Sequence, residues 1–445
     1  MYNINRVIKK LTPHRSAAEL FKYFSDEKDC VFLDSSLVNG LGRYSIIGVR
    51  PYLKLVKDDH GFFINEQKVS ELSFEEYLKK YLSEHKDQNK SGLPMLSGAI
   101  GYFSYEYGRK LMEIPSHKEN LVTIPDEVLV FYDMYIIEDC HEKKTFLVAN
   151  GVTEDAEKLI ESVEKRLTEV LLEKEQVADG SFNIEITPNF KKEEYKQAVD
   201  EMIRYIIEGD IYITNMTQQL EVKSNKKPLD VFYDLRENNP SPFGGYMDYG
   251  DFQIVCASPE RFLKMKKGHV NTRPIKGTRK RGETLEEDLL MRNELKNSEK
   301  DKSELLMIVD LERNDLNRVC KPGSVKVTEL FTVEEYATVF HLVSDIEGVL
   351  QENKTIMDLL EATFPGGSIT GAPKYRAMEI IDELENNRRN LYTGSIGYLT
   401  LDGDCDFNIV IRTALHKDGM YIWELAVASL LNQTWNLNMR RPFRK

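Results

Sequence analysis

The residue types best suited to chemistry stand in NTRPIKGTRKRG, residues 271–282, where Arg273, Lys276, Arg279, Lys280 and Arg281, with Lys267 just upstream, crowd one short turn. The chain as a whole carries a formal net charge of −13, so a cationic patch of this density calls for an anion. Lys276 differs from its neighbours in setting. Pro274 fixes the approach of the chain, Gly277 lets the backbone come close to a ligand, and Thr278 offers a hydroxyl and an amide. Among other cations the ammonium form of a lysine is disfavoured, which leaves a free amine able to act as a nucleophile. A basic solvated turn is the competing reading of the same residues.

The neighbouring motifs favour chemistry. Ser258-Pro259-Glu260-Arg261-Phe262 lies one hairpin upstream, so pairing of the two strands brings Glu260 beside Lys276, either as a general acid/base or as a structural ion-pair partner. In SEKDKSELLMIVDLERNDLNR, residues 298–318, Asp301 and Glu304 are three apart on one helix face, a spacing that suits carboxylate ligands of a hard cation such as Mg²⁺. The apolar LLMIVDL that follows drives this helix into a core, where unpaired carboxylates are costly. FPGGSITGAPKYRAMEIIDELE, residues 364–385, sets a glycine-rich loop before a helix carrying Pro373 in its first turn; backbone amides at 366–372 then face a carboxylate or phosphate, or the loop is an ordinary cap. His341 in FHLVS, taken without its context, reads as a satisfied core histidine. Arg412, in the otherwise apolar strand IVIRTA, needs an anionic partner and suits a carboxylate clamp.

These side chains must be held by a large scaffold. At 445 residues, 41% hydrophobic and 30% charged, the chain can bury a sizeable core. Residues 1–150 run as short β-rich segments with DDHG at 58–61 as a hairpin turn, a helix at 73–86, and Tyr102, Phe103, Tyr105 and Tyr107 as core aromatics. A charged helix is predicted over 152–176 and a connector over 177–191. A helix over 192–208 follows, with Val199, Met202, Ile203, Ile206 and Ile207 on one stripe and Gly209 as its stop. Further on, 284–317 reads as helical, 325–331 as a strand, and 355–363 and 373–385 as helices. Antiparallel strand blocks broken by helices, without regular alternation, argue α+β. The division expected is an N-terminal lobe, 1–176, and a second lobe, 192–445. Five scattered cysteines without CxxC spacing give neither a disulfide framework nor a zinc site. The acidic balance argues against nucleic acid, and no apolar run reaches membrane length or forms a signal peptide, so a cytoplasmic setting is expected.

Taken together, SPERF, RPIKGTRKRG, LLMIVDLERNDLNRV, HLVS, FPGGSITGAPKYRAMEIIDELE, GSIGY and IVIRTA occur in the order found in the chorismate-utilising enzymes, which the chain resembles to about residue 423, in the branch of the aminodeoxychorismate synthase component I proteins. The resemblance implies a large two-lobed antiparallel β-sandwich with flanking helices. It also implies cytosolic chorismate chemistry, Mg²⁺ as cofactor, and ammonia delivered by a separate glutamine amidotransferase for p-aminobenzoate and folate synthesis. On this resemblance Lys276 is the nucleophile that attacks C2 of chorismate; alanine stands at this position in the anthranilate-forming branch. Glu260 is the general acid/base and His341 lies by the ring. Gly277, Thr278, Ser368, Tyr392 and Arg412 contact substrate, and Asp301 and Glu304 form half of the metal site. Ile213 replaces both the lysine of water-adding relatives and the glutamine of ammonia-using ones. Ser36, Arg43, Tyr44, Ser45, Pro240, Ser241 and Phe243 match a pocket that binds tryptophan in relatives.

After Trp423 the pattern breaks. ELAVASLLNQTWNLNMRRPFRK, residues 424–445, holds neither the glycine loop nor the paired glutamates of the family. Read one nucleotide out of register, codons for these residues permit GAGGGIVAEPNLESEYEETFQK, so a frameshift near Glu424 is expected, with the missing metal-site glutamates opposite Asn438 and Arg441. The consequences considered are a chorismate enzyme of either branch, or a binding subunit that no longer turns over.

Overall fold

The computed structural model describes residues 5–169 and 184–429. Positions 170–176 of the expected charged helix, 177–183 of the expected connector, and tail residues 430–445 with Asn438 and Arg441 lie outside the described residues. Among the described residues every strand joins one hydrogen-bonded antiparallel network, flanked by helices. This is the α+β architecture expected from antiparallel strand blocks interrupted by helices.

The centre of the network is the strand Glu127–Asp139, whose thirteen residues are all buried. Its alternation explains why. Leu129 and Phe131 enter one hydrophobic core with Phe103, Phe262, Leu305 and Phe364. Val128, Val130 and Tyr132 enter a second core with Tyr102, Ile254 and Ile396. Successive side chains point to opposite faces, so a strand covered on both faces is apolar throughout. Tyr102, Phe103, Tyr105 and Tyr107 are buried as expected, and the Tyr102 hydroxyl donates to the Pro125 carbonyl at 2.9 Å.

Strands from the two halves of the sequence pair with each other. Val31–Asp34 pairs with Phe243–Asp248, and Gly98–Phe103 with Ser395–Thr400. In the expected connector, Glu185–Pro188 forms a strand on the edge of Ile213–Lys223, opposite Leu220 to Lys223. The DDHG turn is present, with Asp58 paired to Gly61 and its carboxylate accepting the His60 amide at 2.7 Å.

The helix Lys192–Glu208 ends on Gly209 at φ 88°, a left-handed stop that glycine adopts without a Cβ clash. Val199 and Met202 face the core from it, but Ile207 does not: it is 68% exposed, at the far edge of the stripe. The stretch 284–317 is two helices, Leu285–Asn297 and Glu299–Asn317. Ser298 ends the first and caps the second, its hydroxyl accepting the Asp301 amide at 3.3 Å.

Candidate active site

Four strands and one helix carry the central groups of the site. Arg261–Lys266, His269–Arg273 and Ile275–Lys280 follow one another, and the last pairs with Val339–Val349, setting Thr278 opposite His341. The helix Glu299–Asn317 packs across this sheet with Asp301, Glu304, Glu312 and Asp315 all buried on its inner face.

Lys276 is only 9% exposed, and its Nζ donates to Asn215 Oδ1 at 3.2 Å. Burial pulls its pKa below the usual lysine range, while Glu304, Glu260 and Glu312 oppose the shift. The other cations are not its neighbours, which corrects the reading from the sequence. Arg273 pairs with Glu329 at 2.8 Å, Glu334 at 2.9 Å and Asp345; Arg279 with Glu294 at 2.7 Å and Asp301 at 2.9 Å; Arg281 with Asp288 at 2.5 Å. The three arginines of the basic turn are consumed by internal ion pairs. Desolvation, not cationic crowding, frees the amine.

Glu260 is buried, and burial raises its pKa against hydrogen bonds from Ser368 and the Ile275 amide and the charge of Lys276. His341 Nδ1 is 2.9 Å from Thr278 Oγ1, and Nε2 has no partner among the described residues. Burial, helped by Arg412, pushes this imidazole down to about 3, so it is neutral at ordinary pH. Arg412 lies at a bend with φ 51°, not inside a strand, so its side chain leaves the sheet. It makes no ion pair among the described residues, and desolvation by the surrounding protein lowers its pKa although the side chain is open to solvent. Tyr392 is buried nearby, its hydroxyl bonded to the backbone of Ala426.

Gly277 has φ 77°, and a Cβ there would meet Asp301 at 2.8 Å, so this glycine serves the turn and the approach of the helix together. In the glycine-rich loop a Cβ on Gly367 would meet Leu311 at 2.7 Å, so close packing accounts for that residue. Pro373 caps the helix Lys374–Leu384 from outside rather than standing in its first turn.

Two buried carboxylates do not by themselves make a Mg²⁺ site. Asp301 is held by Arg279, and no cluster of three His, Cys, Asp or Glu side chains able to hold a metal occurs among the described residues.

Several residues that the sequence did not single out support this centre. Asn215 orients Lys276 while its own amide nitrogen donates to Ser368 and Thr370 carbonyls at 3.3 and 3.2 Å. Arg389, 1% exposed, binds the Glu385 carboxylate at 2.8 Å, the Ile369 carbonyl at 2.9 Å, and the Asn215 carbonyl. Lys374 and Asp315 form a buried pair at 2.5 Å. Ile213 is fully buried. Glu424, beside this network, takes one hydrogen bond from Gln219 at 2.8 Å; its Oε2 has no partner among the described residues, and burial followed by the nearby Glu385 holds its pKa well up.

A cavity of about 390 Å³ opens between the halves of the chain. Arg43, Tyr44 and Phe243 line it with Asp34, Lys264 and Asp406, whereas Ser36, Ser45, Pro240 and Ser241 are not in its wall. Ser36 instead accepts the Ser241 amide at 2.9 Å, and Ser45 accepts that of Ser35 at 3.0 Å.

The family model for chorismate binding enzyme matches residues 29–428. Anthranilate synthase component 1 of Acetivibrio thermocellus is 37% identical over 90% of this chain and 85% of its own length. Aminodeoxychorismate synthase component 1 of Bacillus subtilis is 37% identical over 91% and 88%. The crystal structure of anthranilate synthase component I from Streptococcus pneumoniae superposes with a TM-score of 0.80 at 31% identity, covering 89% of this chain and 90% of that one. A match spanning nearly the whole sequence, on a fold shared with these relatives, places the chain in the family of chorismate binding enzymes.

Proposed function

We propose that this chain is the component that converts chorismate and ammonia to 4-amino-4-deoxychorismate. The observation that carries the reading is Lys276, a desolvated amine held by Asn215 and flanked by Glu260; the family resemblance implies alanine at this position in the anthranilate-forming branch. The Lys276 amine attacks C2 of the ring as the C4–O bond breaks and the double bond shifts. Glu260, protonated, gives its proton to the departing hydroxyl, which leaves as water; such a role contributes about 10²–10⁴ in rate. Ammonia then adds at C4 and expels the lysine, so the net change is hydroxyl for amine. Arg412 and Tyr392 take the enolpyruvyl carboxylate, and Gly277, Thr278, Ser368 and the free Nε2 of His341 face the ring. The ammonia comes from a glutamine amidotransferase subunit.

Anthranilate formation is the second reading, supported by the equal identity to a relative bearing that name. Mg²⁺ dependence and a tryptophan ligand in the 390 Å³ cavity belong to this proposal as well. Glu424 supports the frameshift reading of the tail: a buried carboxylate with one oxygen unpartnered among the described residues stands where the shifted frame reads glycine.

The test is turnover of chorismate with ammonium and Mg²⁺, products resolved by chromatography, for the chain as written and for one carrying GAGGGIVAEPNLESEYEETFQK at 424–445. Aminodeoxychorismate as product, lost or diverted in Lys276→Ala, supports the reading. Anthranilate as product of the unaltered chain overturns it, and equal turnover by both tails removes the frameshift argument.

A further inference from the structure

Glu312 lies beneath the same centre and is absorbed by none of the roles above. Its side chain is buried on the inner face of the helix Glu299–Asn317, with Cγ 3.6 Å from where a Cβ on Gly367 would stand. Glu312 Oε2 is 2.9 Å from Thr272 Oγ1, and the same hydroxyl is 2.6 Å from the carbonyl oxygen of Phe262. A hydroxyl has one proton. The shorter contact, to an oxygen that can only accept, uses it. The second contact is then a hydrogen bond only when Glu312 supplies a proton of its own. An ionised carboxylate would instead set two acceptors against one donor in a buried site, an arrangement that costs far more than it returns.

We propose that Glu312 is a proton-bearing carboxyl that positions the catalytic pair, keeping the floor of the site neutral so that Glu260 and Lys276 can work on a dianionic substrate. The groups facing it are Glu260, Asp315 and Lys374, and Lys276 feels it in turn. Lys374 does not neutralise it, being committed to Asp315 at 2.5 Å and to the Thr363 carbonyl at 2.8 Å. Burial pushes the Glu312 carboxyl up to about 8 against the Thr272 contact and the charge of Lys374, with the charges of Glu260 and Asp315 acting in the same direction as burial. Above that pH a new anion appears under the substrate. It favours the ammonium form of Lys276, keeps Glu260 protonated to higher pH, and repels the substrate carboxylates.

The consequence for catalysis rests on the function proposed above; the protonation does not, and the two are read separately. Infrared difference spectra of the full chain, wild type minus Glu312→Gln, are expected at pH 6 to hold one protonated-carboxyl band that fades with a midpoint near 8. Thr272→Val, which removes the acceptor of that proton, shifts the same band, so the assignment does not depend on one variant. A carboxylate band already present at pH 6 overturns the proposal, whatever the enzyme turns over. In kinetics, KM of the wild type for chorismate is expected to rise roughly tenfold between pH 7 and 9 as the anion forms, with a smaller change in kcat. The amide of Glu312→Gln cannot ionise, and its KM stays flat over the range. Parallel KM profiles for the two proteins sink the positioning role. A chain with no chorismate turnover but with the infrared band defeats the function above and leaves the protonation standing.

Discussion

Lys276 and Glu260 work only in opposite states, the amine free and the carboxyl protonated, and burial moves both groups toward those states. The lysine pKa falls and the glutamate pKa rises, so the two titrations approach each other from outside. The expected profile of kcat/KM is a bell whose acid limb follows loss of the Lys276 proton and whose alkaline limb follows loss of the Glu260 proton. Glu260→Gln keeps the shape but cannot give a proton to the departing hydroxyl; kcat is expected to fall by about 10²–10⁴ with KM little changed, as measured in steady-state assays. A fall in kcat below tenfold would assign the proton transfer to another group. His341 contributes differently. Held neutral by a pKa near 3, it offers Nε2 as a hydrogen-bonding group without adding charge beside Arg412. His341→Asn should therefore raise KM more than it lowers kcat, whereas an imidazolium role would reverse that order.

The elements that carry these side chains are stiffened by ion pairs inside the protein, and the Arg389–Glu385 pair is the clearest of them. Arg389 ties the helix Lys374–Leu384, through Glu385, to the carbonyl of Asn215 on the strand Ile213–Lys223, and Glu385 also accepts the Thr217 amide at 2.8 Å. Arg389→Met leaves Glu385 as a buried uncompensated charge, expected to cost about 3–5 kcal/mol in chemical denaturation. The double variant with Glu385→Gln should recover part of that loss; no recovery would mean that packing of the arginine, not its charge, is what matters. The sequence disclosed this level unevenly. Helix and strand positions followed from periodicity, and Asp301 and Glu304 were placed on one face of a helix. Glu312 and Asp315 repeat the same i, i+3 spacing on that face and could have been read by the same rule. Asn215 could not: a single asparagine in a strand has no periodic signal. The basic turn misled because the partners of Arg273 are Glu329, Glu334 and Asp345, far away in the chain, and only the folded sheet brings them together. Local charge counts cannot see such pairing.

At the scale of the whole molecule the same buried groups set how stability depends on pH. Several carboxyls have pKa values raised by burial, among them Asp34 to about 6 and Glu312 to about 8, with Glu127 and Glu424 raised well above the ordinary range. Each of these keeps its proton in the folded chain at pH values where the unfolded chain has lost it, so stability falls as pH rises from the ordinary value, 3.8 for Asp34 and 4.5 for the glutamates, through the folded pKa. His341 acts in the other direction. Its folded pKa is near 3 against 6.5 unfolded, so the unfolded chain takes up a proton first and stability falls as pH drops below 6.5. Asp59, Asp87 and Asp139, whose pKa values are lowered, add to the loss on the acid side, because the unfolded chain takes up their protons from the ordinary carboxylate pKa downward while the folded ion pairs hold them off until the lower folded pKa. The opposing slopes cross in mildly acidic solution. The melting temperature by scanning calorimetry is therefore expected to peak between about pH 5 and 6.5 and to decline toward pH 9. Glu312→Gln removes one contributor to the alkaline decline and should flatten it by ~2–4 kcal/mol between pH 6 and 9, after allowance for its coupling to Glu260. A melting temperature that keeps rising to pH 8 would mean that these carboxyls ionise freely inside the fold, and the neutral floor assigned to the site would go with it.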